Sequence, residues 1–292
     1  MSASTPGLPI GIVSPIVTAN PGAHSGWEGG ASVTELAAIA RTADRLGFHH
    51  LTCSEHVAVP TAIAAERGAT YWDPLATLGF LAAQTERIRL ATQVLVLGYH
   101  HPLQIAKRYG TLDLLSGGRV VLGLGVGSLQ EEFELLGATF EGRGAVADDA
   151  LAALRAAWGR RTPSYDGPHF SFDDLVVEPH APRTEVPLWI GGRTPRSLRR
   201  AVELGTGWVP FGLGLTALTE MLGSVETPDG FEVVLSAGRP LDPLSDAAAT
   251  AERIRRVLDA GATLVSTAVQ AESAAHYEEQ LEALAALGEE IG

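Results

Sequence analysis

The segment Arg87–Gly137 constrains the fold of this chain more than any other. It reads RIRLATQVLVL, a helix-like stretch, RVVLGLGVG, and then a second helical run. Two apolar strands joined by a helical crossover fix strand direction and fold type together. The second strand carries Gly123, Gly125 and Gly127 just before the next helix begins. Glycines at alternate positions put their bare faces on one side of a strand. They either let a flat or phosphorylated ligand approach the backbone closely, or relieve crowding in a narrow barrel.

The same alternation runs through almost the whole chain. A first strand opens at Leu8. A helix follows from Val33, with Ser32 or Thr34 as its cap and Gly47 as its stop. His49–His56 reads as the second strand, and Asp73-Pro74 opens the next helix in cap-then-proline order. Arg87–Leu97, the helix Pro102–Leu115 and the strand Arg119–Gly127 come next, before helical runs at Leu129–Leu136 and Val146–Trp158. The rhythm breaks only at Pro163–Pro179, which is turn-rich and reads as a small hairpin set into a loop. PLWIGG, GWVPFG, FEVVLSAG and TLVSTAVQ, each with its helix, complete eight units. The pattern predicts a (β/α)8 TIM barrel with an insertion between strands 4 and 5, one domain over residues 1–292. An open doubly wound sheet is the competing architecture.

Composition narrows the function classes. The net charge of −13 argues against nucleic acid or an anionic membrane as a partner. A single cysteine, Cys53, rules out an internal disulfide and fits a reducing compartment. No apolar run approaches the ~20 residues a bilayer span needs, and MSASTPGLPIG lacks the pattern of a secretion signal. A cytoplasmic protein is expected.

In a barrel, chemistry sits at the carboxyl ends of the strands. Strand two ends in Ser54-Glu55-His56. His56 there either moves protons at a ligand over the barrel mouth or satisfies a nearby loop carbonyl. Glu55 either accepts hydrogen bonds from a ligand or points outward to an arginine. Thr92-Gln93-Val94, polar within an apolar strand, marks a ligand face, a bulge, or polar packing inside the barrel. Strand five ends in Gly191-Gly192-Arg193-Thr194-Pro195, where free backbone N–H groups and a helix start make an anion cradle. The chain has no G-x-S-x-G, no phosphate-loop lysine motif, no H-E-x-x-H and no completed G-x-G-x-x-G. His49 and His50 point to opposite faces of a strand, and no metal site is expected.

LGFHHLTCSEHVAVP, TERIRLATQVLVLGYHHPLQIAKRYGTLDLLSGGRVVLGLGVG, EEFELLGATFEGRG and PLWIGGRTPRSLRRAVELGTGW together resemble the bacterial-luciferase-like monooxygenase superfamily. They most closely resemble its coenzyme F420-dependent oxidoreductase branch. The resemblance implies a homodimeric barrel acting on a small-molecule substrate, with a deazaflavin ring over the strand ends. It implies His56 as the proton-handling residue, Glu55 at the ring or substrate, and a non-prolyl cis peptide at Gln93–Val94 against the ring. It further implies Gly125 and Gly127 near the cofactor chain, and Gly191, Gly192, Arg193 and Thr194 near its phosphate. Two departures stand out: Ser128 where relatives often carry tryptophan or glutamate, and Thr206 in place of the aspartate of a D-G-W segment. The alternative within enzymes is an FMN-dependent monooxygenase fed by a separate flavin reductase. A catalytically silent flavin-binding barrel is the alternative outside them.

Overall fold

The computed structural model describes residues 9–19, 21–22 and 24–291. Leu8, where the first strand is expected to open, lies outside them. Strand β1 spans Ile10–Val13, β2 His50–Cys53, β3 Arg89–Thr92, β4 Leu95–Val96 and β5 Val120–Gly125. After a two-stranded hairpin, β6 (Tyr165–Asp166) and β7 (Ser171–Phe172), come β8 (Leu188–Gly191), β9 (Gly207–Val209), β10 (Glu232–Ser236) and β11 (Leu264–Thr267). All pairings outside the hairpin are parallel, in the order β3-β2-β1-β11-β10-β9-β8-β5-β4, and β3 also pairs with β5 to close the ring. Since β3 and β4 are consecutive pieces of one stave, the closed barrel has eight. The open-sheet alternative is thereby excluded. The antiparallel hairpin falls between β5 and β8, the fourth and fifth staves, as the turn-rich segment predicts.

Helices cover the outside. Those preceding the insertion are α1 (Val33–Arg45), α2 (Thr61–Arg67), α3 (Pro74–Gln84), α4 (Pro102–Leu115), α5 (Gln130–Leu135) and α6 (Arg143–Ala157). After it come α7 (Pro195–Leu204), α8 (Leu215–Leu222), α9 (Ala247–Asp259) and α10 (Ala274–Ile291). Their ends follow local chemistry. Ser32 caps α1 in a capping box with Glu35, and Asp73 caps α3 through Ala76 N, with Pro74 at the first helical position. No helix among the described residues is long and apolar enough to cross a membrane.

Two elements differ from the sequence reading. The segment after β2, expected as a loop, contains α2, because Thr61–Arg67 (TAIAAER) is rich in helix formers between its Pro and Gly boundaries. The strand read over Arg87–Leu97 is divided into β3 and β4 at Gln93–Val94, and the peptide bond there is cis, as the family resemblance implies.

Alternation along the staves separates two cores. Leu51, Leu90, Leu122 and Ile190 pack outward against the helices, while Ala91, Val121, Trp189, Val209, Val234 and Leu264 fill the barrel interior. At the amino-terminal end of the barrel, the His50 ring is fully buried and lies edge-on to Trp189, centroids 5.0 Å apart. The indole of Trp189 donates to Glu232 at 2.7 Å. Gly11 makes the space: a Cβ there would lie 1.9 Å from the His50 ring. Burial pushes the imidazoles of both His49 and His50 toward the neutral form, His49 down to about 4.

Candidate active site

A cleft of about 780 Å³ opens at the carboxyl ends of β2, β4, β5 and β8. Its floor is built by close packing around one side chain. Val94, just past the cis bond, wedges between two glycines: a Cβ on Gly125 would lie 2.6 Å from Val94 Cγ2, and one on Gly191 2.9 Å from Val94 Cγ1. A Cβ on Gly123 would meet the Thr92 carbonyl at 2.0 Å, and one on Gly127 would meet Phe133 at 2.5 Å. The bare faces of the glycine run are therefore filled by the interrupted strand and by Phe133 rather than left open to a ligand. What Gly125, Gly127, Gly191 and Gly192 present to the cleft is backbone. Crowding relief, one of the two readings of the alternating glycines, explains why they carry no side chain.

His56 lines this cleft, and its Nδ1 lies 2.8 Å from Glu132 Oε2. The Tyr99 hydroxyl donates to the same oxygen at 2.7 Å. The other carboxylate oxygen accepts from Val57 N at 2.5 Å and Ala58 N at 3.2 Å. Burial of Glu132 opposes its ionisation, but the bonds from Tyr99, His56 and Val57 outweigh it and hold the carboxyl below its usual range. The Tyr99 phenol is held protonated by its own burial and by Glu132. Tyr71 packs edge-on to His56, ring centroids 4.5 Å apart, fixing the imidazole from the side. An ionised carboxylate against Nδ1 selects the tautomer with the proton on Nδ1 and leaves Nε2 for the cleft.

Glu55 is engaged differently. Its Oε2 accepts from Val96 N and its Oε1 meets His100 Nε2, both at 2.7 Å. The buried carboxylate thus ties the end of β2 to the chain just past the cis bond, and it pairs with a histidine rather than an arginine. Gln93 and Val94 line the cleft. Thr92 does not. Alternation puts Ala91 in the barrel interior and Thr92 on the opposite face, fully buried, its hydroxyl donating to Gly123 O at 2.7 Å.

At the far wall, Gly191, Gly192, Arg193 and Thr194 all line the cleft. The Thr194 hydroxyl caps α7 by accepting from Ser197 N, and Thr194 N donates to Ser197 Oγ. Two of the N–H groups expected for an anion cradle are thus already bonded, and the arginines carry most of the wall's attraction for an anion. Five arginines line the cleft against one carboxylate, Glu55, in a chain of net charge −13. Arg196 and Arg200 share Asp148, and Arg143 donates to Gly127 O while lying 3.7 Å over the Phe140 ring. Arg193 and Arg67 form no ion pair among the described residues. A broad cleft walled by bare backbone and rich in arginine fits a flat, anionic cofactor.

Glu132, Tyr99, Tyr71 and Arg67 escape a reading confined to strand ends. One signal for Glu132 is present in the sequence. Leu129, Glu132, Phe133 and Leu136 fall at helical spacing, which puts Glu132 in an apolar stripe while Glu131 and Glu134 face solvent. A lone carboxylate in such a stripe needs a partner. The other departure, Thr206, is explained by packing: its Oγ1 accepts from Leu188 N at 2.8 Å. Cys53 is buried and its thiol is pushed up to about 12, chiefly by burial, which makes it inert.

Comparison with known proteins agrees with the barrel fold. A Mycobacterium tuberculosis protein provisionally named a coenzyme F420-dependent oxidoreductase is 31% identical over 173 residues, 55% of this chain and 49% of its own length. An uncharacterised protein of the same organism, Rv0953c, is 31% identical over 186 residues, 59% of this chain and 66% of its own. The chain thus spans less than two-thirds of the length of these relatives. Among solved structures, the monooxygenase RslO1 from Streptomyces bottropensis superposes with a TM-score of 0.76 at 20% identity, covering 94% of this chain and 97% of that one. An F420-dependent secondary alcohol dehydrogenase superposes with a TM-score of 0.74 at 14% identity, covering 97% and 98%. The luciferase-like monooxygenase family matches residues 9–289, almost the full length of the barrel, and this chain is a member of that family.

Proposed function

We propose that the protein is a coenzyme F420-dependent oxidoreductase that moves a hydride between a small organic substrate and the deazaflavin. The observation that carries this reading is His56. It is a cleft-facing imidazole with Nδ1 committed to an ionised carboxylate, set across from a glycine-walled floor. When bound, the cofactor supplies the hydride acceptor or donor at its C5. Gln93–Val94 and the backbone of Gly125 and Gly127 would support its ring and chain, with Gly192, Arg193 and Thr194 at its phosphate.

The chain's own part is proton transfer and positioning. In substrate oxidation, His56 Nε2 takes the hydroxyl proton as the C–H bond gives up its hydride; in reduction it returns that proton to the developing oxyanion. Glu132 stabilises the imidazolium formed on the way, and Tyr99 together with the Val57 and Ala58 amides holds Glu132 in place. The similarity to a relative provisionally named for F420 supports this cofactor over FMN. Fluorescence titration of the purified protein tests the choice. Saturable quenching of F420 at micromolar concentration is expected, and binding of FMN with none of F420 would overturn it.

A further inference from the structure

We infer that Arg67 forms an anion-recognition subsite beside His56 and that the substrate carries a carboxylate or phosphate group. This rests on the proposed reaction at His56. It adds the substrate's chemical class, which nothing in that reading fixes. Arg67 is the last residue of α2 and lines the same cleft as His56, Tyr71 and Ser128. Each of the other cleft arginines has an occupation within the fold or at the cofactor wall. Arg196 and Arg200 share Asp148, Arg143 is bonded to Gly127 O, and Arg193 faces Phe211 beside Gly192. The Arg67 guanidinium has only the Ser128 hydroxyl, at 3.2 Å from Nη2, and no carboxylate among the described residues. An arginine fork with one neutral partner retains donors for a bidentate anion.

The platform under Arg67 is anchored. Gly68, next in the chain, has φ +82°, and a Cβ on it would lie 2.0 Å from the Ala19 carbonyl, so the turn packs directly on the loop after β1. Ala19 N donates to Thr70 O at 3.0 Å, and Trp72 N to Val17 O at 2.9 Å. Thr18 bridges to Tyr71. Tyr71 connects the two sites, since its ring packs on His56 while its hydroxyl reaches back to the Arg67 carbonyl. Arg67 therefore stands on the same rigid strip that orients the proton-transfer residue. A substrate held by its anionic group there presents its reacting carbon toward His56. Ser128 is small and supplies a second donor to the same anion.

The test is calorimetric titration of benzoate, phenyl phosphate and the neutral isostere benzamide, with and without F420, into the wild-type protein and the variants Arg67→Gln and Arg67→Lys. Expected are saturable binding of one or both anions to the F420-loaded protein and at least tenfold weaker binding of benzamide. Arg67→Gln should weaken the anion by about tenfold or more with F420 affinity unchanged, and Arg67→Lys should recover part of the loss. Whichever of benzoate and phenyl phosphate binds more tightly identifies the anion as carboxylate or phosphate. Equal binding of benzamide and the anions, or full anion affinity in Arg67→Gln, would overturn the subsite. So would a loss of F420 affinity in Arg67→Gln, which would assign the guanidinium to the cofactor. Failure of the wild type to bind F420 contradicts the proposed function instead; the cofactor-free titrations then still decide whether Arg67 binds anions.

Discussion

His56 and His50 lie at opposite ends of one stave, and the contrast between them separates function from packing in this barrel. At the rim, His56 has a carboxylate on one ring nitrogen and an open cleft beside it. At the base, His50 is sealed against Trp189, with Nδ1 2.9 Å from His49 and Nε2 without a hydrogen-bond partner. In the proposed reaction the rim carries a transient positive charge on His56, opposite the Glu132 carboxylate. At the base, burial suppresses protonation, and His50 serves as a space-filling ring beneath the barrel interior. The same residue type does unrelated work because its surroundings set the charge it can hold.

Substitutions at the two ends should separate accordingly. His56→Ala should lower turnover by roughly 10²–10⁴-fold while F420 binding and thermal stability stay near wild type, as measured by steady-state kinetics, fluorescence quenching and calorimetry. His50→Ala should do the reverse, costing about 2–4 kcal/mol of stability in urea unfolding with turnover of the folded fraction retained. If the base variant lost activity without losing stability, the division between the ends would fail. Gly11→Ala approaches the base from the other side. Its methyl would meet the His50 ring, and a loss of about 1–3 kcal/mol through overpacking is expected.

Glu132→Gln sharpens the rim side. It keeps the shape but removes the charge that stabilises an imidazolium, so kcat should fall by about tenfold or more. KM should change little. An equal fall in the His56→Ala background would show that Glu132 acts through something other than His56.

The smallest effect is the acid dependence of stability. His49 titrates near 4 in the fold and near its ordinary 6.5 when unfolded. Between those values the unfolded chain binds protons that the fold refuses, so stability is fully present above about pH 6.5 and declines as the pH falls toward 4. His50 adds to this decline in the same direction. Glu132, whose carboxyl is held low, withdraws its contribution only at lower pH, as it becomes protonated. Urea midpoints across pH should show the upper window shrink in His50→Ala and the lower one shrink in Glu132→Gln.

Much of the barrel is written locally. Ser32, Asp73 and Thr194 stand where caps are needed, and the turn-rich stretch near residue 165 becomes the hairpin. What local pattern conceals is which polar groups meet across the rim. Glu132, in α5, is 76 residues from His56, and the two meet only once the folded barrel brings α5 against the chain just past β2, across the β3–β4 stave that separates β2 from β5. The bare faces of Gly125 and Gly191 belong to Val94, a relation that appears only once the interrupted strand is seated between them. Thr92 reads as part of a ligand face from its polarity, but strand alternation turns it away from the cleft.

A crystal structure of the protein with F420 bound tests the central claim most directly. The deazaflavin ring should lie against Gln93–Val94 with its C5 facing the His56 side of the cleft, and the cofactor phosphate beside Gly192 and Arg193. A ring seated away from His56, or a phosphate beside Arg67 instead, would contradict the assignment of this rim as the reaction site.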